Sequence, residues 1–207
     1  MKPYYKDQFV TIYHGTWQEF TTRLPRTKLL LTDPPYGLDK KASQGSGKLK
    51  NRILNESDIW EWDSAPSKEN LETLINLTEK QIIWGGNYFE LPPCRGFLIW
   101  DKKQPWENFS QAEFAWTSFD FPSKIIAISK SFKKEHPTQK PLHLMKWCID
   151  LADLTGEDVI LDPYAGSGTT GRAAKDLGYH AILIEKDEKF CEISAKRMEQ
   201  DCLPLEF

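Results

Sequence analysis

The run from Val159 to Glu185 leaves few folds open to this chain. Val159-Ile160-Leu161 is an apolar strand that ends in Asp162. Pro163-Tyr164-Ala165-Gly166-Ser167-Gly168 then turns into a helix predicted over Thr169 to Leu177. Gly178 suits the C-cap of that helix, and a second apolar strand, Ala181 to Ile184, ends in Glu185. Glycines in such a turn let the backbone approach a ligand and let helix and strand pack closely. An acid about 20 residues on, at the end of the next strand, is placed to accept ribose hydroxyls. A phosphate loop is excluded because no Lys follows the glycines. Gly171 of Gly166-x-Gly168-x-x-Gly171 falls inside the predicted helix, so a nucleoside without a diphosphate fits better than a dinucleotide.

The same grammar occurs upstream. Leu29-Leu30-Leu31 runs into Asp33-Pro34-Pro35-Tyr36-Gly37. The strand delivers a carboxylate, two rigid prolines and an aromatic ring to the carboxyl edge of a sheet, where open α/β folds bind ligands. Each proline fixes its own φ, lacks an N–H and biases the preceding residue away from helix. Backbone carbonyls there are left to accept hydrogen bonds from something else, and Tyr36 offers a flat surface. Such a turn suits a planar molecule bearing an –NH2 group.

Three motifs in order, Asp33-Pro34-Pro35-Tyr36, His136-Pro137-Thr138-Gln139-Lys140-Pro141 and Asp162-Pro163-Tyr164-Ala165-Gly166-Ser167-Gly168-Thr169-Thr170, resemble the amino-methyltransferases that act on exocyclic amines of nucleobases with S-adenosylmethionine. The catalytic turn precedes the cofactor loop, as in their circularly permuted β-type branch. Trp84-Gly85-Gly86-Asn87-Tyr88-Phe89 and Ile99-Trp100-Asp101-Lys102 are similar to segments of small phage and prophage DNA methyltransferases. The likeness extends from about Phe9 to Met198.

The resemblance implies a Rossmann-like fold, α/β, with a doubly wound, mostly parallel sheet and an antiparallel hairpin. The 207 residues are expected to form one methyltransferase domain. Predicted strands are Phe9–Tyr13, Lys28–Thr32, Gln81–Trp84, Gly96–Trp100, Glu157–Leu161 and Ala181–Ile184, with Ala112–Thr117 and Lys124–Ser129 as the hairpin pair. Predicted helices run from a Ser67 cap to about Glu79, from Pro141 to about Leu154, over Thr169–Leu177 and over Asp187–Glu199. Asp39–Asn55, rich in Lys, Ser and Gly, reads as a mobile loop.

In larger relatives a target-recognition segment lies between the hairpin and the His-Pro-Thr-Gln-Lys-Pro motif. Here only Lys130–Glu135 separate them, so no separate recognition domain is expected. Site reading then falls to the 39–55 loop, to a homodimer or to a specificity partner, and short or relaxed specificity is expected.

The resemblance assigns the Asp33 carboxylate and the Pro34 carbonyl to the two amine hydrogens, with Pro35 holding the turn and Tyr36 stacking on the base. The target base must be flipped out or unpaired. For S-adenosylmethionine, Glu185 is expected at the ribose hydroxyls, with Tyr164, Gly166 and Gly168 lining the turn beside Pro163 and Thr169. Asp162 either orients that turn or meets the cofactor's ammonium. His136, Thr138 and Lys140 belong to the motif that closes the pocket near the methionine carboxylate, although Lys140 could equally be solvated. The family often places Gly-Asp after the first strand, the acid touching the cofactor's adenine. This chain has Gly15-Thr16 instead, which shifts adenine recognition towards backbone groups.

A net charge of −3 is awkward for a nucleic-acid enzyme, because phosphate contacts supply most non-specific affinity. The cations, however, cluster around the expected site. Lys40, Lys41, Lys48, Lys50 and Arg52 follow the catalytic turn, and Lys102 lies between that turn and the cofactor loop. These residues, with Asn87, are the expected DNA contacts. Trp84, Trp100, Trp106 and Trp116 read as core or pocket wall. Cys94, Cys148, Cys191 and Cys202 are scattered and read as reduced thiols, with no metal site expected. No stretch approaches roughly 18 apolar residues and Met1–Tyr5 lacks an apolar leader, so a cytoplasmic protein is expected. Asp at the head of the turn favours N6-adenine in DNA. N4-cytosine, RNA adenine and a non-catalytic cofactor-binding subunit are the competing readings.

Overall fold

In the computed structural model β3, Thr27–Thr32, lies deep in a nine-stranded sheet, and its burial follows from its composition. A strand with parallel neighbours on both sides must be apolar on both faces. Leu29 and Leu31 face one side and Leu30 the other, and all three are fully buried. Truncating one of them to Ala would cost about 2–5 kcal/mol. The structure describes residues 2–37, 64–105, 110–129 and 139–200. The expected 39–55 loop with Lys40, Lys41, Lys48, Lys50 and Arg52 lies outside the described residues, as do Trp106, His136 and Thr138.

The other strands are β1 (Tyr5–Lys6), β2 (Val10–His14), β4 (Thr78–Trp84), β5 (Phe97–Asp101), β6 (Ala112–Thr117), β7 (Lys124–Ala127), β8 (Val159–Asp162) and β9 (His180–Glu185). Their spatial order is β1-β2-β9-β8-β3-β4-β6-β5-β7. The strands β2, β9, β8, β3 and β4 are mutually parallel. Helices α3 (Leu142–Asp150), α4 (Thr169–Asp176) and α5 (Glu188–Glu199) cover one face. A single turn α1 (Trp17–Phe20) and α2 (Lys68–Asn76) cover the other. From β8 the chain winds outward through α4 to β9, whereas from β3 it winds the opposite way through α2 to β4. The carboxyl ends of β8 and β3 therefore form the topological switch point, where such sheets open a crevice.

Three expectations are corrected. β6 and β7 are not paired with each other. β6 runs antiparallel between β4 and β5, and β7 lies parallel on the far side of β5, so the antiparallel hairpin is β5–β6. α2 stops at Asn76 rather than near Glu79, because the Thr78 hydroxyl donates to the Leu74 and Ile75 carbonyls while its backbone enters β4. α3 ends at Asp150 rather than near Leu154, and Asp153 has a left-handed backbone, φ 50°, that cannot continue a helix. Ser67 does cap α2, accepting from the Asn70 amide. Among the described residues no helix is long and apolar enough to cross a membrane.

Candidate active site

The carboxyl ends of β3, β8 and β9 open on a cavity of about 560 Å³. Asp33, Tyr36, Glu113 and Lys140 lie along it together with Glu185 and the turn from Tyr164 to Ser167. Residues drawn from the two strand-to-turn motifs thus share one space.

At the glycine turn, Gly166 and Gly168 have φ of 50° and 77°, in the left-handed region that favours glycine. The Gly166 amide donates to Glu185 Oε2 at 2.7 Å and the Asp187 amide to Oε1 at 2.9 Å. Glu185 thereby ties the turn to β9 while bordering the cavity. Burial raises its carboxyl above the usual range, and the two amides offset part of that rise. Gly168 is not a wall of the cavity. It packs against Ser194 of α5, where a Cβ would meet the side chain.

Asp162 is buried and accepts from Thr32 Oγ1 at 2.8 Å, Thr170 Oγ1 at 2.5 Å and the Tyr164 amide at 3.2 Å. It pins β3, β8 and the start of α4 together. Burial pushes its carboxyl up to about 6 against those three donors. Trp17 Nε1 donates to the Tyr164 hydroxyl at 3.0 Å. Thr16 caps α1 in a capping box, its amide and hydroxyl both donating to Glu19 Oε1.

At the other end, both oxygens of Asp33 are held. Oδ1 accepts from the Tyr36 hydroxyl at 2.6 Å and Oδ2 from Lys140 Nζ at 2.5 Å. Lys140 also donates to the Tyr36 hydroxyl at 3.1 Å and stands 3.0 Å from Glu113 Oε2. Glu113 Oε1 is 2.6 Å from Lys102 Nζ. Burial opposes the Lys140 charge, but Asp33, Tyr36 and Glu113 outweigh it and hold the ammonium well above its ordinary range. Burial likewise opposes the charge on Glu113, yet Lys140 and then Lys102 hold it down to about 2. Burial, reinforced by Asp33, raises the Tyr36 phenol. The Tyr36 ring stacks on Tyr88 with centroids 4.9 Å apart and meets Phe89 edge-on.

Two lysines depart from expectation. Lys140 is neither solvated nor free for a cofactor carboxylate. It is 5% exposed and its ammonium is engaged by Asp33, Tyr36 and Glu113. Lys102 is 6% exposed and paired with Glu113, so it is no surface cation for a phosphate. Asn87 is exposed on the 3-10 turn Gly86–Tyr88, just after β4. Pro34, Pro35, Pro163 and Thr169 border the cavity, as does Trp100. Trp84 and Trp116 are core. Sequence reasoning missed Glu113, Thr32, Thr170 and Tyr88. The alternation of β6 sets Glu113 with Ala115 and Thr117 opposite the apolar Phe114 and Trp116, so the sequence carried no signal for it; the structure buries Ala115 and Thr117 beside it.

Residues 55–196 match the N6/N4 methyltransferase family, described as DNA methylase. The Type II methyltransferase M2.MboI of Moraxella bovis is 27% identical over an alignment of 256 residues, covering 97% of this chain and 92% of that protein. M2.DpnII of Streptococcus pneumoniae is 26% identical over 255 residues, covering 97% and 93%. Both alignments are longer than the 207 residues here, so these relatives carry segments with no counterpart in this chain. Among solved structures, the M1.HpyAVI–SAM complex superposes with a TM-score of 0.61 at 24% identity, covering 92% of this chain and all of that one. The cytosine-N4-specific PvuII DNA methyltransferase superposes at 0.64 with 14% identity, covering 98% and 90%. These structures share the fold.

Proposed function

The chain belongs to the N6/N4 DNA methylase family, and from that premise we propose that it transfers the methyl group of S-adenosylmethionine to the N6 amine of adenine in DNA. The observation that carries the reading is the Asp33 carboxylate. It is fixed at both oxygens and faces the same cavity as Glu185 and the glycine turn.

An exocyclic amine is a poor nucleophile because its lone pair is delocalised into the ring. Acceptors for both amine hydrogens draw the nitrogen towards tetrahedral geometry and free that pair. Asp33 and the Pro34 carbonyl supply those acceptors. Each Asp33 oxygen accepts one bond already and keeps a second lone pair for the amine. Tyr36 stacks on the base, which must leave the duplex to reach this depth. Holding both partners in one cavity supplies most of the acceleration by positioning, and acceptors aimed at the nitrogen stabilise the charge that develops there.

The residues present fit the cofactor. Glu185 retains lone pairs for ribose hydroxyls, the Tyr164–Ser167 turn lies beside it, and Asp162 holds that turn in place. When bound, S-adenosylmethionine supplies a methyl group activated by its sulfonium. In this reading the chain is a single catalytic domain, with short or relaxed sequence specificity carried by the 39–55 segment, a second copy or a partner. Besides Asp33, Pro34 and Tyr36, Asn87 is a candidate contact to the nucleotide among the described residues.

The test is Asp33→Ala with labelled cofactor and DNA. Methyl transfer is expected to fall by about a thousandfold or more, the upper range for one aligned site group, while calorimetric cofactor affinity is retained. Undiminished transfer would refute the role of Asp33. A wild-type chain that binds cofactor but transfers nothing would favour a non-catalytic subunit.

A further inference from the structure

We infer that Glu113 is a positioning residue for methyl transfer, holding and charge-balancing the Lys140 ammonium so that Asp33 remains an effective acceptor for the target amine. The inference rests on the function proposed above.

Four charged groups stand in contact with alternating sign: Asp33, Lys140, Glu113 and Lys102. The first three border the cavity. The row is built by the sheet. Glu113 shares the inward side of β6 with the buried Ala115 and Thr117, and its Cα partner across the antiparallel pair is Trp100 of β5. Two residues past Trp100, Lys102 donates its amide to the Gln111 carbonyl, which keeps its side chain beside Glu113. Lys140 enters from the loop before α3.

Buried ion pairs are a poor route to stability, since apolar residues of like volume do as well or better. What such a row does well is fix geometry and local charge. The Lys140 ammonium donates to Asp33 Oδ2 and to the Tyr36 hydroxyl, and Glu113 Oε2 stands 3.0 Å away as an ion-pair partner without a hydrogen bond of its own. Lys140 on its own would hinder the reaction. As the bond from the amine nitrogen to the methyl carbon forms, the methyl–sulfur bond of the sulfonium breaks with its electrons left on sulfur, and the nitrogen gains positive charge until one of its protons is lost to solvent. A buried cation beside the amine's acceptor opposes that gain. Glu113 offsets the cation as an ion pair at 3.0 Å, while Asp33 keeps the shorter, hydrogen-bonded contact with it. Lys102 in turn keeps Glu113 paired and ionised. The chemistry thus sees a carboxylate of fixed orientation within a row that sums to zero.

Glu113→Gln keeps the shape and removes the balancing charge. Steady-state methylation of DNA, calorimetric cofactor affinity and thermal melting are measured for wild type, Glu113→Gln and the double variant Glu113→Gln/Lys102→Gln. The double variant relieves the buried Lys102 that the single one leaves unpaired. Asp33→Ala runs alongside. In both Glu113 variants kcat is expected to fall roughly tenfold to a hundredfold, the range typical of outer partners that orient a site group. Cofactor affinity and the KM for DNA should stay within about twofold, as for an interaction expressed in the transition state alone. A kcat within about twofold of wild type in either folded variant would overturn the inference. So would a loss confined to cofactor affinity, or failure of both variants to fold, since the row would then serve the cofactor or the fold. Activity in Asp33→Ala would instead overturn the function on which the inference rests.

Discussion

Gly85 is the residue through which the backbone sets the position of Tyr36, and Gly85→Ala tests that arrangement. It follows β4 with φ at 73°, and a Cβ there would stand 2.6 Å and 2.7 Å from Cδ1 and Cζ of the Tyr36 ring and closer still to Cε1. Ala in the left-handed region costs about 1–2 kcal/mol. Relieving the overlap by overpacking adds about 1–3 kcal/mol. A total near 3 kcal/mol corresponds to a melting temperature lower by roughly 6–12 °C in a chain of this size. Tyr88 stacks on Tyr36 and restricts where the ring can go. To reach ordinary contact distance at Cε1 the ring must move by more than 1 Å, and a misplacement of about 1 Å alone can cost roughly a hundredfold in rate. That shift also takes the hydroxyl off Asp33 and Lys140. Single-turnover methylation and calorimetric cofactor binding separate the effects. The expected result is a folded protein with retained cofactor affinity and a rate lower by about two orders of magnitude. Wild-type rate in a folded Gly85→Ala protein would refute the claim that the Tyr36 hydroxyl must hold Asp33.

Two further outcomes follow from the carboxylates at the cofactor end. Burial raises the Asp162 carboxyl from 3.8 to about 6, so the folded state binds its proton more tightly than the unfolded chain. Its contribution to stability is therefore greatest below pH 3.8 and is lost as pH rises to about 6. The loss amounts to at most about 3 kcal/mol. Asp162→Asn should flatten that limb in denaturant titrations across pH, and an unchanged limb would contradict the assignment. Glu185→Gln should weaken calorimetric cofactor affinity by about ten- to a hundredfold, the worth of a hydrogen bond to a charged group. Affinity equal to wild type would remove Glu185 from the cofactor site.

Much of the framework was legible in local patterns. β3 and β8 declare themselves as apolar runs ending in Asp33 and Asp162, and the glycine turn fixes how α4 leaves the sheet. Those signals are short-range, and the parallel core follows from them. The pairing of β5, β6 and β7 was not legible, because β6 has antiparallel partners on both sides and alternation cannot reveal which strand fills the second place. Lys102 read as a surface cation, and Lys140 as either a cofactor contact or a solvated cation, because lysine is almost never fully buried unless paired. Their burial depends on Glu113, an acid whose partners arrive from a neighbouring strand and from a loop 27 residues further along at Lys140. The site's charge balance is a tertiary property, and the alternation of β6, with Glu113 opposite Phe114 and Trp116, gave no hint of it.

The central claim is that Asp33 and its turn direct a methyl group to the N6 amine of adenine in DNA. The most direct measurement is mass spectrometry of nucleosides from DNA incubated with the protein and isotopically labelled S-adenosylmethionine. The expected result is labelled N6-methyladenine, absent when Asp33→Ala replaces the wild type. Labelled N4-methylcytosine without N6-methyladenine, or N6-methyladenine formed equally well by Asp33→Ala, would contradict it.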